Sequence, residues 1–302
     1  MQDGIIRVAI GGQGRSGYNI HARHLEKDKD RYRIVAVADQ IAERRKDARN
    51  QFGARTYTDW SKMIKAGGFD LFVNALPSLI HTPATIEALN AGAHVLCEKP
   101  TAMNASEAAE MLKVAKENNR IHMIDHELRF NPNRQKIKDW ILFGDIGDIQ
   151  HINILNVSNG WLSPDSRPIN DWWSLKSRGG GRMGANGSHQ VDLIRWWCGE
   201  IKSVFGQALT IVQDRIDKKT NETWKATADD LSYFSLELAR AGFEVVGVDI
   251  SKGAILSANE TLKNVKNRKS LKLKYLCSNL DKLIFKENFD GVLSSGFLHH
   301  IK

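Results

Sequence analysis

An apolar run that ends in a glycine-dense turn is the feature that most narrows the folds open to this chain. Ile5–Ile10 leads directly into Gly11-Gly12-Gln13-Gly14-Arg15-Ser16-Gly17. A short apolar run bounded by glycine fits a strand buried in a parallel sheet. Gly12, Gly14 and Gly17 satisfy the G-x-G-x-x-G spacing of a dinucleotide cradle. Gly12 permits the tight turn, Gly14 lets backbone approach a pyrophosphate, and Gly17 allows a helix to pack closely on the strand. That helix begins with Arg15 and Ser16 and aims its N-terminal amides at the phosphates. A second apolar run, Arg33–Ala38, ends in Asp39, 22 residues beyond Gly17, where a carboxylate can accept hydrogen bonds from the adenosine ribose. The acid repels a 2′-phosphate and favours NAD. Arg44 and Arg45, one turn further on, either pair with such a phosphate, which keeps NADP open, or solvate a helix face.

The alternation of strands and helices continues. Phe69–Leu76 reads as a strand running into Pro77, with His81 soon after; Thr82–Ala91 reads as a helix, and Ala93–Cys97 as a strand leading into Glu98-Lys99-Pro100. Asn104 and Glu107 have capping-box spacing for a helix over Ala105–Asn118, and Ile121–Asp125 closes the series. Strands alternating with helices predict an α/β fold, a Rossmann doubly wound parallel sheet over residues 1–126. Ligands bind beyond the carboxyl ends of such strands, where Pro77, Glu98 and Lys99 stand.

Composition excludes several classes. The net charge of +8 raises the question of nucleic acid, but the lysine-rich stretch Lys263–Lys274 holds no aromatic stacking residues, so no nucleic-acid partner is expected. No apolar stretch is long enough to cross a bilayer and no signal peptide is evident, which predicts a cytoplasmic protein without a membrane partner. Cys97, Cys198 and Cys277 are isolated and odd in number, so neither disulfides nor a metal site is expected.

Taken together, Gly12-Gln13-Gly14-Arg15-Ser16-Gly17, Asn74-Ala75-Leu76-Pro77 with His81, Glu98-Lys99-Pro100, and Gly187-Ser188-His189 with Asp192 resemble the glucose–fructose oxidoreductase and inositol dehydrogenase (Gfo/Idh/MocA) family, from about residue 5 to about residue 238. The resemblance implies a second, α+β domain with an open, mostly antiparallel sheet, here truncated, over residues 127–238. It implies that Lys99 is the base that takes the hydroxyl proton of a secondary alcohol, and that His189 is a second proton-transfer residue. Gly12, Gly14, Arg15, Ser16, Gly17, Asp39, Pro77, His81, Glu98 and Lys99 would hold NAD or NADP. Apolar spacing at Val191, Ile194 and Trp197 places His189 on a helix over Ser188–Cys198. One position departs from the family, whose better-known members carry an aspartate four residues before this histidine; here stands Ala185, followed by Asn186. Asn186 can hydrogen-bond a hydroxyl but cannot take a proton. Trp161, Asn186 and Asp192 are candidate substrate residues, with Trp172 and Trp173 as further flat faces for a sugar ring or for core packing.

The end of the chain has a different character. All eight tryptophans and all six prolines precede residue 225. Beyond it, Phe243–Ile250 reads as a strand holding Asp249, Gly253–Val265 as a helix, and Leu271–Cys277 and Phe289–Ser295 as strands. This stretch resembles part of a Rossmann-like S-adenosylmethionine-dependent methyltransferase over residues 239–302. It lacks the glycine-rich first loop, since Thr227–Tyr233 contains no glycine, and it stops before the remaining strands. Phe234–Ala241 is a strand by one resemblance and a helix by the other. The function expected is an NAD(P)-dependent oxidoreductase acting on a sugar, cyclitol or polyol alcohol, with a homo-oligomer compatible. The alternatives are a non-catalytic nucleotide-binding relic and, less favoured, a methyltransferase.

Overall fold

The structure is a computed structural model that describes residues 4–147, 149, 151–238, 245–249 and 273–277. It divides into two compact units, one made of residues 1–126 and 172–185, the other of residues 127–171 and 186–302.

The first unit is built on a six-stranded parallel sheet in the order β3-β2-β1-β4-β5-β6. Its strands are β1 (Ile6–Gly11), β2 (Tyr32–Ala38), β3 (Arg55–Tyr57), β4 (Leu71–Asn74), β5 (His94–Glu98) and β6 (His122–Asp125). This is the doubly wound arrangement expected, with its direction of progression reversing between β1 and β4. A wide-turned π-helical segment, Arg15–Ala22, runs into the short helix α1 (Arg23–Lys27). Helices α2 (Ala42–Phe52), α3 (Trp60–Ala66), α4 (Ser78–Asn90) and α5 (Ala105–Glu117) complete the crossovers. Val8, Ile10, Val37 and Val73 form one fully apolar core, and Ala9, Phe72, Val95 and Met111 another.

Two boundaries differ from the sequence expectation for identifiable reasons. β4 ends at Asn74 rather than Leu76, because Asn74 Oδ1 accepts from the Leu76 amide at 3.4 Å and turns the chain out of the ladder. α4 begins at Ser78 rather than Thr82 and carries Pro83 inside it. Proline disfavours helical backbone in the residue before it, yet Thr82 is held in the helix: its hydroxyl donates to Glu107 Oε2 at 2.8 Å. The capping box forms as expected, Glu107 N donating to Asn104 Oδ1 and Asn104 Nδ2 to Glu107 Oε1, each at 3.0 Å.

The second unit holds a turn at Glu127–Phe130, α6 (Pro132–Phe143), α7 (Ser188–Cys198) and two antiparallel pairs. β7 (Ile201–Leu209) pairs with β10 (Leu231–Leu238), and β8 (Asp214–Ile216) with β9 (Thr223–Lys225). The strand β10 decides the ambiguous stretch after Phe234 in favour of the oxidoreductase pattern as far as Leu238. Arg215, 1% exposed, clamps the hairpin onto the preceding loop by donating to Ser166 Oγ at 3.1 Å and to the Trp161 and Ser163 carbonyls at 3.4 Å. β11 (Val245–Asp249) and β12 (Leu273–Cys277) pair in parallel. The expected helix over Gly253–Val265 and strand over Phe289–Ser295 lie outside the described residues.

The contact that fixes the first turn is backbone against backbone. Gly12 has φ +88°, and a Cβ there would stand 2.5 Å from the Ala75 carbonyl oxygen. A Cβ on Gly17 would stand 1.8 Å from the carbonyl oxygen of Gly12. Gly14 differs, since the nearest atom to its Cβ position is Arg44 Nη1 at 3.8 Å. Gly17→Ala is therefore expected to destabilise the fold by about 1–3 kcal/mol in urea titration, whereas Gly14→Ala is expected to stay within about 0.5 kcal/mol of the parent.

Candidate functional site

The glycine loop and Asp39 stand side by side at the carboxyl ends of β1 and β2. Asp39 is 8% exposed; its Oδ2 accepts from the Gln13 amide at 2.7 Å and its Oδ1 from the Ile41 amide at 2.8 Å. The carboxylate thus shapes the loop from which the cradle is made. Arg44 Nη1 lies 3.4 Å from Asp39 Oδ2, while Arg45 donates to the Asp39 and Gln40 carbonyls at 2.7 and 2.8 Å. The structure thereby separates two arginines that the sequence leaves equivalent. Arg45 is a backbone brace, and Arg44 is the cation beside the acid. Arg15 is exposed and Ser16 half-buried, both in the first turn after the glycine loop. The bare surface over Gly14, which no protein atom requires, and the acid 22 residues beyond Gly17 both fit a dinucleotide.

At the neighbouring ends of β5 and β6, three buried ionisable groups that the sequence reading did not single out as a set come together. Glu98 and Asp125 are cross-strand partners. His21, on the helical segment after the glycine loop, reaches both, with Nε2 3.0 Å from Glu98 Oε1 and 3.7 Å from Asp125 Oδ2. Burial works to raise the Glu98 carboxyl, but the His21 hydrogen bond and the neighbouring charges hold it below the usual carboxylate range. Burial pushes the Asp125 carboxyl up, against the pull of His21. The three offer one ligand atom each within 4.8 Å of one another, the spacing of a partial metal site. The 3.0 Å His21–Glu98 contact is also that of a charge-assisted hydrogen bond, which accounts for it without an ion.

Lys99 follows Glu98 and is half-buried. Its Nζ donates to the Ala185 carbonyl at 3.4 Å and lies 5.8 Å from the centre of the Trp173 ring. Trp172 and Trp173 stack obliquely at 4.6 Å, so the second of these tryptophans borders the lysine and the first backs it. Pro77 caps the N-terminus of α4. His81, 1% exposed, lies between two loops, one ring nitrogen 2.8 Å from the Pro100 carbonyl and the other 2.8 Å from the Leu76 carbonyl, so that the neutral ring donates to one of the two at a time. This geometry makes His81 a strut that holds the Glu98-Lys99-Pro100 turn against the end of β4. Burial lowers its pKa, with the two carbonyls opposing.

In the second unit, α7 spans Ser188–Cys198 and buries His189 at 5% exposure. Glu127 Oε2 lies 3.6 Å from His189 Nε2. One turn along α7, Asp192 receives both arms of Arg129, at 2.5 and 2.6 Å. Asp192 is therefore held in a bidentate ion pair, and Asn186 is half-buried at the start of this unit's second segment. Trp161 has Arg167 and Arg215 at 5.2 and 5.9 Å from its ring centre, a cation–aromatic cluster rather than an open platform. Burial pushes the thiols of Cys97 and Cys198 up to about 12 and about 11, the state of inert packing groups. Among the described residues no helix is long and apolar enough to cross a membrane.

Comparison with known proteins follows this geometry. Residues 6–126 match an oxidoreductase family with an NAD-binding Rossmann fold (GFO_IDH_MocA), residues 134–248 match the GFO/IDH/MocA C-terminal domain, and residues 231–302 match a methyltransferase domain. The chain is 31% identical over 195 residues to the rhizopine catabolism protein MocA of Rhizobium meliloti, covering 64% of this chain and 57% of that protein. It is 27% identical over 180 residues to levoglucosan dehydrogenase of Pseudarthrobacter phenanthrenivorans, covering 59% of this chain and 46% of that one. Its fold superposes with a TM-score of 0.67 on the WlbA dehydrogenase of Bordetella pertussis, solved with NADH and UDP-GlcNAcA, at 27% identity over 78% of this chain and 64% of that chain. The chain thus spans less than two thirds of the length of each of these relatives. Both resemblances read from the sequence are borne out, and the two C-terminal matches overlap over residues 231–248.

The His81 strut gives the fold a pH dependence with a definite sign. A histidine whose pKa is lowered on folding contributes stability that is fully present above its free value of 6.5 and is lost as pH falls through the folded value. His122, also lowered by burial, acts in the same direction. Urea midpoints are expected to fall between pH 7.5 and pH 5.5, with a shallower fall in His81→Gln.

Proposed function

Because this chain belongs, over residues 6–248, to the GFO/IDH/MocA oxidoreductase family, we propose that it transfers a hydride between a nicotinamide dinucleotide and a secondary alcohol of a sugar, cyclitol or related polyol. The observation that carries this reading is the placement of Lys99 at the end of β5, in the same parallel sheet whose switch point holds the Gly12–Gly17 cradle. Residues 1–126, 127–238 and 239–302 are taken as its dinucleotide, substrate and methyltransferase-like regions.

Gly12, Gly14, Arg15, Ser16 and Gly17 would hold the pyrophosphate, Asp39 the adenosine ribose, and Pro77, Glu98 and Lys99 the nicotinamide end. When bound, the dinucleotide accepts the hydride that leaves the alcohol carbon. Lys99 takes the hydroxyl proton as the O–H bond breaks and the carbonyl forms, and returns it in the reverse direction. Trp173 limits water beside the lysine, and the Glu98–His21–Asp125 cluster fixes the backbone that carries it. His189 serves as the second proton-transfer residue. The relatives support the substrate class, since levoglucosan dehydrogenase is named for an anhydrosugar and the WlbA dehydrogenase was solved with a nucleotide sugar. NAD is favoured over NADP because Asp39 stands where a 2′-phosphate would approach, although Arg44 beside it could receive one. Ala185, in place of the family's acid, favours a second reading in which the chain binds a dinucleotide without turning over an alcohol.

Calorimetric titration is expected to show NAD binding more tightly than NADP, with Gly14→Ala weakening NAD by roughly tenfold or more at unchanged fold stability. Binding of neither dinucleotide to folded protein refutes the cradle. With levoglucosan, xylose and myo-inositol as probes and reduced-nicotinamide absorbance as the readout, Lys99→Ala is expected to lose at least about 10²-fold in kcat while keeping dinucleotide affinity. NAD binding without turnover of any probe supports the second reading, and an active Lys99→Ala variant places the base elsewhere.

A further inference from the structure

We propose that Glu127 is a positioning residue for His189, holding its imidazole in orientation and stabilising the protonated form when the ring takes up a proton. The inference rests on the reading of His189 as a proton-transfer group. It begins from a gap in charge. The position one helical turn before His189 is Ala185, whose methyl group can neither orient a ring nor answer its charge. The carboxylate that meets His189 comes instead from another element, the turn Glu127–Phe130, with Glu127 Oε2 3.6 Å from His189 Nε2.

The contact is held in register by a second pair on the same two elements. Glu127 and Arg129 lie two residues apart on the turn, and His189 and Asp192 three apart on α7. Arg129 grips Asp192 with both arms at 2.5 and 2.6 Å, so the turn cannot slide along the helix without breaking a bidentate ion pair. Gln135 Nε2, from α6, adds a bond to the Arg129 carbonyl at 2.6 Å. Several other charged groups on the packed elements have partners of their own, among them Lys136, which lies over the Trp140 ring. Asp192 answers Arg129; Lys138 donates to the Trp196 carbonyl at 2.7 Å; Arg134 lies over the Trp197 ring; and Arg195 pairs with Glu200 at 2.7 Å. Glu127 brings a carboxylate oxygen to within 3.6 Å of the ring. The Glu127 side chain is 42% exposed as a whole, but Oε2, the oxygen that faces the ring, is itself buried, so the pair sets a buried carboxylate oxygen beside a buried imidazole. A proton on the ring is stabilised by the carboxylate.

The test uses the full chain and needs no substrate for its first arm. Imidazole proton resonances are followed against pH by NMR in the parent and in Glu127→Gln and Glu127→Asp, with His189→Gln identifying the signal. The His189 midpoint is expected to move to lower pH in Glu127→Gln and to return most of the way in Glu127→Asp. A midpoint unchanged by Glu127→Gln overturns the inference. The second arm is the kcat–pH profile with NAD and whichever probe is turned over. Glu127→Gln is expected to lower kcat by roughly tenfold or more, with the alcohol KM within about threefold of the parent, and to move the acidic limb to lower pH. An unaltered profile in an active Glu127→Gln variant overturns the inference while leaving the oxidoreductase reading standing. Absence of turnover in every variant including the parent defeats that reading, and the NMR arm still decides the coupling.

Discussion

Two carbonyl oxygens occupy the space that side chains would take at the head of the sheet. Ala75 O presses on Gly12, and Gly12 O presses on Gly17, so strand β1, strand β4 and the helical segment after the loop meet backbone to backbone. Interiors are close-packed, and an added methyl group at such a crossing has no direction in which to relax. The consequence extends beyond the loop. Because Arg15–Ala22 starts pressed against the sheet, His21 is carried one turn later to the ends of β5 and β6, where it reaches Glu98 and Asp125. The close packing of Gly12 and Gly17 is therefore also what assembles the buried charges behind Lys99.

Those charges form an arrangement in which neighbouring carboxylates are driven apart in character. Glu98 takes the shorter contact to His21 and is held toward its ionised form, whereas Asp125 is pushed toward its neutral form by burial first and by the neighbouring Glu98 carboxylate, against the pull of His21. Like charges in a poorly solvated place cannot both ionise freely, and the histidine biases which one does. The Lys99 turn is attached to this cluster through its own chain and to β4 through the His81 strut. Its position is set from two sides before any ligand arrives.

Much of the first unit was legible because its elements announce themselves locally. The glycine spacing, the acid after β2, the strand-end Glu98-Lys99-Pro100 and the Asn104–Glu107 box each have a physical reason to stand where they do. Other elements carried no such signal. α2 fully buries only Ala48 and is mostly polar and charged, so apolar periodicity does not reveal it, and β3 is three residues long. α7 was read correctly from the spacing of Val191, Ile194 and Trp197. The partners of the functional side chains were harder to see. His21 with Asp125, Glu127 with His189, and Arg129 with Asp192 join residues far apart in sequence, and no spacing rule connects them. Asp192 and Trp161 were singled out for their chemistry, yet ion pairing and cation–aromatic packing occupy them in the structure. Asp192 and His189 stand three apart on one helix, a spacing compatible with that helix meeting a charged partner on this face.

The dual duty of Asp39 bears on how such a protein can change over time. One of its oxygens holds the Gln13 amide, and therefore the curvature of the glycine loop, while the same oxygen lies beside Arg44. Any replacement that removes the acid to welcome a different dinucleotide also loosens the cradle that every dinucleotide needs. Arg44, whose guanidinium meets the acid from its exposed side, is the neighbour that can be exchanged while both amide bonds to the Asp39 carboxylate stay in place.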